Sequence, residues 1–334
     1  MTKLRVAING FGRIGRLCFR NMIQDNQFEV VAINDLADVK ILSHLLKYDS
    51  VHGKLDTNVS VSDTFMLLDG HKVQVCKEKD PSQLPWEELK VDVVIESTGV
   101  FTNEEGARKH LTAGAKKVVI SAPAKGNIKT IVLGVNQQEL KASDEIVSNA
   151  SCTTNCLAPL VKVVDDSFGI EKGYLSTIHA YTSDQNIQDA PHRDFRRSRA
   201  AALSIIPTTT GAASAVGKVL PHLEGKLDGM AMRVPIPDGS MVDFTAILKC
   251  TTTKEELNDR FISASENSLK GIIEYSIEPL VSADILGNAH SAIVDSQFTA
   301  VNGNLVKIVA WYDNEYAYSC RAVELVSLIA KLEI

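Results

Sequence analysis

The chain has 334 residues, 45% of them hydrophobic, with 35 Lys+Arg against 41 Asp+Glu and a formal net charge of −6. That length suits two domains, each able to bury its own core, and the acidic balance excludes a general affinity for nucleic acid or for anionic membrane surfaces. No stretch is long and apolar enough to span a bilayer, and the six cysteines are scattered without a disulfide framework, so a reducing, cytoplasmic setting is expected.

Leu4 to Asn9 reads as a short strand, with no signal-like apolar stretch before it. It runs into Gly10-Phe11-Gly12-Arg13-Ile14-Gly15, and Arg16 to Gln24 continues as a helix. Glycines at this spacing allow a tight turn, close approach of a pyrophosphate and close packing of helix on strand. A second strand, Glu29 to Asn34, ends in Asp35, about 20 residues beyond the glycines, where a dinucleotide fold places its ribose-binding carboxylate. Asp38 to Lys47 has helical periodicity, with Ile41, Leu42, Leu45 and Leu46 as its apolar stripe. Val59 to Cys76 reads as a hairpin turning at Asp69-Gly70, and Val91 to Glu96 as a buried parallel strand. Thr102 with Glu105 has the spacing of a capping box for a helix ending at Gly114, and strands follow at Val118–Ser121 and Ile131–Val135. Strand and helix alternate in this way up to residue 148, which predicts a doubly wound parallel sheet.

The segment Ser148-Asn149-Ala150-Ser151-Cys152-Thr153-Thr154-Asn155-Cys156 sits between a strand end and an apolar helix closing at Phe168-Gly169. Ser151 is placed to cap that helix, which leaves Cys152 just inside the positive end of its dipole, where thiolate is favoured. Three hydroxyls and two Asn around a thiol are an expensive composition for a core, so Cys152 reads as a nucleophile. Free cysteine titrates near about 8.5, and a reactive thiolate at neutral pH therefore needs a partner such as His⁺. Cys156 lies one turn on with no third ligand at metal spacing, and reads as packing; no metal site is expected.

Beyond this helix the pattern changes. Tyr174 to Ala180 is a strand delivering His179, and Tyr181 to Leu203 is a long basic stretch without periodicity, of the kind that serves a site or a subunit contact. Strands at Gly229–Pro235, Met241–Cys250, Ile293–Phe298 and Val306–Tyr312, with one helix capped by Thr253, predict an α+β domain with a largely antiparallel sheet. Glu315 to Leu332 reads as an amphipathic helix able to return to the first domain. The expected division is a dinucleotide-binding domain over 1–150, a catalytic domain over 151–314, and residues 315–334 packing back on the first.

Five stretches in this order resemble the phosphorylating glyceraldehyde-3-phosphate dehydrogenases over essentially the whole chain: Ile8 to Arg16, Tyr48-Asp49-Ser50-Val51-His52-Gly53, Ser148 to Cys156, Ile206 to Ala213, and Trp311-Tyr312-Asp313-Asn314-Glu315. The resemblance implies that Cys152 attacks the aldehyde to give a hemithioacetal and then a thioester, with His179 as the base. It implies an attacking-phosphate site of Ser151, Thr153, Thr210, Gly211 and Arg197, and a substrate-phosphate site of Thr182 and Arg233. Its cofactor is NAD, held by Gly10, Gly12, Arg13, Ile14, Gly15, Asp35, Lys79, Ser121 and Asn314. It further implies a homotetramer with the basic loop at a subunit interface. Three positions depart from the pattern. Lys79 stands where many relatives have Arg, Pro237-Asp238-Gly239-Ser240 replaces Pro-Asn-Val-Ser, and Ala190 precedes Pro191 where NAD-selective relatives carry a larger apolar residue. NAD is expected to be preferred, with NADP accepted at a low rate. The alternatives are an erythrose-4-phosphate dehydrogenase of the same superfamily and a non-catalytic binding protein.

Overall fold

The computed structural model describes residues 3–332. The chain divides into two compact units, one running to Ile131 and adding Gln138–Ala150 and everything from Ser319 on, the other holding Val132–Gln137 and Ser151–Tyr318.

In chain order the first unit contains β1 (Leu4–Asn9), α1 (Arg13–Met22), β2 (Phe28–Asn34), α2 (Val39–Lys47), the short pair β3 (Tyr48–Asp49) and β4 (Gly53–Lys54), β5 (Val59–Ser62), β6 (Phe65–Leu68), β7 (His71–Cys76), β8 (Val93–Glu96), α3 (Glu104–Thr112), β9 (Lys117–Ile120), β10 (Lys129–Thr130) and β11 (Ile146–Ser148). One sheet runs β10-β11-β9-β8-β1-β2-β7-β6-β5. Its pairs are parallel from β10 to β7, and the β7–β6 and β6–β5 pairs are antiparallel, so only β6 runs against the rest. The order 7-2-1-8-9-11 is the doubly wound one, reversing direction between β1 and β8. At that reversal Asn9 pairs with Glu96, so the turns after both strands open side by side, where such a sheet binds its ligand. Gly10 is required there: its φ is +91°, and a Cβ on it would lie 2.6 Å from the Thr98 nitrogen. Gly15 is required too, because its Cβ would lie 2.1 Å from the Gly10 carbonyl oxygen.

Several local details differ from the sequence reading. Val59–Cys76 is three strands, because Asp63 adopts φ 51° in a second tight turn ahead of the one at Asp69-Gly70. Of the expected apolar stripe on α2, Leu42 and Leu46 are buried, while Ile41 and Leu45 face out. The cap of α3 is Asn103, whose side chain accepts from the Gly106 N–H, with Thr102 buried beside it. Residues 131–135 turn instead of forming a strand, since the Asn136 side-chain oxygen takes the Val132 N–H at 2.9 Å.

The second unit contains α4 (Cys152–Phe168), β12 (Ile170–Ala180), β13 (Ile206–Thr209), α5 (Ala212–Val219), β14 (Leu227–Val234), β15 (Ser240–Leu248), α6 (Lys254–Glu266), β16 (Ile273–Ser276), β17 (Ala292–Asp295), β18 (Ala300–Asn302) and β19 (Leu305–Tyr312). Its sheet runs β13-β14-β12-β15-β19-β17-β16, with β18 against β19. The β12–β14 and β16–β17 pairs are parallel and the rest antiparallel. Along β15 buried and half-buried residues alternate strictly, as a sheet with one covered face requires. Helix α4 covers that sheet and packs against α5, α6 and β15. Thr253 and Glu256 form a capping box at the start of α6. The last helix, α7 (Tyr316–Ala330), is less amphipathic than expected, with Glu324 its one exposed residue. Among the described residues no helix is long and apolar enough to cross a membrane.

Candidate active site

The candidate nucleophile stands at a strand-to-helix elbow. Ala150 takes φ 57°, a left-handed backbone that costs a non-glycine residue about 1 kcal/mol or more. Ser151 follows in extended conformation and caps α4, its Oγ accepting from the Thr154 N–H at 3.1 Å. Cys152 is therefore the first residue of the helix, with the unpaired N–H groups and positive dipole end around it.

The Cys152 Sγ lies 3.4 Å from His179 Nε2. His179 is near the end of β12 and is 4% exposed. Its other ring nitrogen, Nδ1, is 2.7 Å from the Ala180 carbonyl oxygen. A carbonyl only accepts, so Nδ1 carries the proton and Nε2 turns its lone pair on the sulfur. The neighbouring strand supplies Arg233, in register with His179, whose Nη1 donates to Ala180 O at 3.0 Å and to Thr182 Oγ1 at 3.3 Å. That guanidinium also comes within 3.1 Å of Nδ1 but cannot bond to a protonated nitrogen. Burial and then Arg233 push His179 down to about 3, while burial pushes the Cys152 thiol up against the pull of Arg233. Neither ion is favoured alone. A thiolate and an imidazolium made together attract each other, so the proton passes from Sγ to Nε2 as one event of the pair. Cys156 is fully buried, and burial pushes its thiol far up, which makes it inert.

Arg233 Nε and Gln185 Nε2 are buried without a partner, two donors that lack an acceptor beside Thr182. Thr182 accepts from Arg233, and its own N–H donates to Gln185 Oε1 at 3.3 Å. Arg197 donates through Nε to Thr208 Oγ1 at 3.0 Å and through Nη1 to Asp184, so its charge is already partly matched. It still acts electrostatically on both His179 and Arg233. Thr210 and Gly211 form the start of α5; Gly211 gives the helix no side-chain cap, and a Cβ there would meet nothing within 4 Å. The Thr210 hydroxyl accepts the Ala212 N–H at 3.2 Å, and the remaining N–H groups of the first turn are of the kind that can receive an anion. The Thr153 hydroxyl is engaged inward. Thr177 donates to Met241 O at 3.1 Å, so the Tyr312 hydroxyl donates to Thr177 and Thr153 donates to Tyr312, each at 2.9 Å. Asn314 accepts from Ser240 Oγ at 2.5 Å through Oδ1, which leaves Nδ2 as the donor side of its amide.

In the first unit, a groove of about 430 Å³ is lined by Gly10, Gly12, Asp35, Lys79, Thr98 and Phe101, among others. The Asp35 carboxylate accepts from the Phe11 N–H at 2.9 Å and the Ala37 N–H at 3.0 Å, one on each oxygen, and keeps a lone pair on each. Arg13 and Ile14 open α1 beyond Gly12, which offers no side-chain cap and has open space where a Cβ would be. The Arg13 guanidinium is paired with Asp49 on β3. Burial would raise Asp49, but Arg13 and the N–H groups of His52 and Val51 outweigh it and hold the carboxyl at about 2. Ser121 follows β9 and donates its N–H to the Glu96 carbonyl at 2.9 Å.

Comparison with known families matches residues 4–104 to "Glyceraldehyde 3-phosphate dehydrogenase, NAD binding domain" and residues 151–314 to "Glyceraldehyde 3-phosphate dehydrogenase, C-terminal domain". The chain belongs to the glyceraldehyde-3-phosphate dehydrogenase family. It is 56% identical to glyceraldehyde-3-phosphate dehydrogenase from Geobacillus stearothermophilus over 329 residues, 98% of each chain. It is 54% identical to glyceraldehyde-3-phosphate dehydrogenase 1 of Bacillus subtilis (strain 168) over 330 residues, again 98% of each. The Mycobacterium avium glyceraldehyde-3-phosphate dehydrogenase is 54% identical over 335 residues, covering 98% of this chain and 99% of that one.

Glyceraldehyde-3-phosphate dehydrogenases are NAD-dependent oxidoreductases, and the groove suits that cofactor. The start of α1 has no side-chain cap, and Gly12 leaves open space there, a geometry that would receive a pyrophosphate. Asp35 keeps acceptor capacity for ribose hydroxyls. Four participants escaped the sequence reading: Gln185, Asp184, Tyr312 and the Ala180 carbonyl. Tyr312 stands within the stretch that carries the glyceraldehyde-3-phosphate dehydrogenase resemblance, which was the available signal for it. Asp184 and Gln185 act through partners 13 and 3 positions away in a loop without periodicity, and the Ala180 carbonyl, at the end of β12, has no residue signature at all.

Proposed function

We propose that this chain oxidises D-glyceraldehyde 3-phosphate to 1,3-bisphosphoglycerate with NAD and inorganic phosphate, as a cytoplasmic homotetramer. The observation that carries the reading is the lone pair of His179 Nε2 held 3.4 Å from Cys152 Sγ, with Nδ1–H tied to Ala180 O. The thiol proton passes to Nε2 as Sγ attacks the aldehyde carbon, and the aldehyde oxygen takes that same proton from Nε2, which gives the hemithioacetal and returns His179 to its neutral form. His179 then removes that hydroxyl proton as the carbon is oxidised, leaving a thioester on Cys152. Bound NAD supplies the hydride acceptor for this oxidation, held by the groove residues. A phosphate oxygen attacks the thioester carbonyl, the C–S bond breaks, and Cys152 leaves as thiolate, a departure assisted by the α4 dipole.

Arg233 and Thr182 suit the substrate's phosphate, because Arg233 and Gln185 each bond to Thr182 and each keep a buried donor, Nε and Nε2, without an acceptor. Ser151, Thr153, Arg197, Thr210 and Gly211 suit the attacking phosphate, with Thr153 contributing its backbone N–H while its hydroxyl faces Tyr312. Loop 181–205 exposes Ile187 (81%), Phe195 (86%), Leu203 (86%) and Ile205 (67%), apolar area that another copy of the chain would cover. The deciding assay is NADH formation from glyceraldehyde 3-phosphate with and without inorganic phosphate, against erythrose 4-phosphate as the competing aldehyde. Sustained turnover only with the triose and phosphate is expected, and equal turnover without phosphate would refute cleavage of the thioester by phosphate. Light scattering at micromolar concentration tests the tetramer, and a monomer would exclude it.

A further inference from the structure

Beneath the dinucleotide groove lies a buried polar cluster that the chemistry above does not use. Glu96, at the end of β8, is 1% exposed, and His110 on α3 is fully buried. Trp86 Nε1 donates to His110 Nδ1 at 3.0 Å. An indole N–H only donates, so Nδ1 is the lone-pair nitrogen and Nε2–H donates to Glu96 Oε2, 3.0 Å away. The same oxygen accepts from Asn9 Nδ2 at 2.5 Å. The other oxygen accepts the Thr98 N–H at 2.8 Å and the Thr98 hydroxyl. Every group facing the carboxyl donates.

The sense of the network stays fixed as it runs outward. Asn9 Oδ1 accepts from Asn34 Nδ2 at 2.7 Å. Asn34 Nδ2 also donates to Glu78 O at 2.9 Å, and Asn34 Oδ1 accepts the Glu78 N–H at 2.8 Å. Neither the Asn9 nor the Asn34 amide can flip without opposing two donors or two acceptors. The residues at its outer end, Asn9, Asn34, Glu78 and Thr98, are themselves groove wall. Thr98 is also the residue on which Gly10 rests.

We propose that Glu96 is a positioning residue for the cofactor: with His110, Asn9 and Asn34 it locks the ends of β1, β2 and β8 in the arrangement that receives NAD. Strand pairing fixes the strands themselves, but the turns beyond them have few ladder bonds, and the network supplies that restraint from below. This rests on the groove being the NAD site, as the family membership has it.

Glu96→Gln keeps size and removes one acceptor. The new NH₂ meets either Asn9 Nδ2 and His110 Nε2–H, or the two Thr98 donors, and no rotation of the amide avoids both. Calorimetric NAD binding to the full chain, well below the variant's melting temperature, should weaken by about tenfold, within what an unpaired buried donor costs. Trp86→Phe lies outside the groove and releases the His110 tautomer. Alone it should weaken NAD by about threefold, a modest fraction of that same penalty. Added to Glu96→Gln it should recover part of the lost affinity, because Nε2 can then accept from the new amide while Asn9 Nδ2 still opposes it. A purely structural role predicts the opposite, since a second core truncation would add to the damage. Iodoacetamide labelling of Cys152, read without NAD, should match wild type in all three variants. NAD binding within twofold of wild type in Glu96→Gln, or a double variant weaker than Glu96→Gln, overturns the proposal. If Glu96→Gln does not fold, unchanged NAD affinity in Trp86→Phe overturns it, and the threefold loss sustains it. A wild-type chain that binds no NAD would instead remove the cofactor reading of the groove, and this proposal with it.

Discussion

Replacing His179 by Asn tests the coupled ionisation of the Cys152 pair directly. Asn keeps a polar side chain at the end of β12 but cannot take a proton. In wild type, thiolate and imidazolium form 3.4 Å apart. At that separation opposite unit charges attract by about 5 kcal/mol at an effective dielectric near 20, and by about 1.2 in water. Cys152 is partly exposed, so the true value lies between these limits. One pH unit corresponds to about 1.4 kcal/mol, so losing the partner should raise the apparent pKa of the thiol by about 1 to 3.5 units. The assay is the pH dependence of iodoacetamide alkylation in the absence of substrate. At pH near 7 the variant should react roughly ten- to a thousandfold more slowly, and kcat should fall by roughly 10²–10⁴. An alkylation profile that overlays wild type would show that the imidazole does not stabilise the thiolate, and the argument from the Nε2 lone pair would fail.

Cys152→Ser should abolish aldehyde oxidation with NAD affinity nearly unchanged, whereas Cys156→Ser should keep most activity; calorimetry and NADH formation separate the two. Asp35→Gly should raise the relative kcat/KM for NADP by roughly tenfold to several hundredfold, since a phosphate and a carboxylate about 4 Å apart repel by about 1 to 4 kcal/mol. Wild type using NADP as well as NAD would contradict that role. Asp49→Asn should lower stability near neutral pH by about 2 kcal/mol, the worth of a carboxyl held almost two units below its unfolded value. Because the folded pKa is the lower one, at about 2, the wild-type advantage is complete above the unfolded value and disappears as pH falls toward 2 in urea titrations.

The two ends of the site differ in how far the sequence reveals them. The glycine turn after β1 and the serine cap of α4 are local events, each decided within a few residues, and both were legible. The cap of α3 was read one position early because Thr102 and Asn103 are both good caps, and only packing buries the first. The Asp63 turn was invisible because an aspartate in a left-handed conformation has no fixed signature. Ile131–Val135 has a strand's composition, and what bends it is one side-chain hydrogen bond from Asn136. Cys152 and His179 were legible as candidates, but the tautomer of His179 was not, since it is set by a carbonyl. Thr153 shows the same limit: its hydroxyl is directed by Tyr312, 159 positions away in the chain.

The placement of Cys152, His179, Arg233, Arg197 and Asn314 within one unit, and of Asp35, Lys79 and the glycine turn within the other, has an evolutionary consequence. Selection on cofactor identity and selection on thiol chemistry act on separately packed cores. A lineage can drift toward a different nucleotide by substitutions around Asp35 without disturbing the acid–base pair, and can change its aldehyde around Thr182 without retuning the groove. Asn314 is tied through Ser240 to the backbone of Ala180, beside His179, so a change at that position would be felt by the thiol's base.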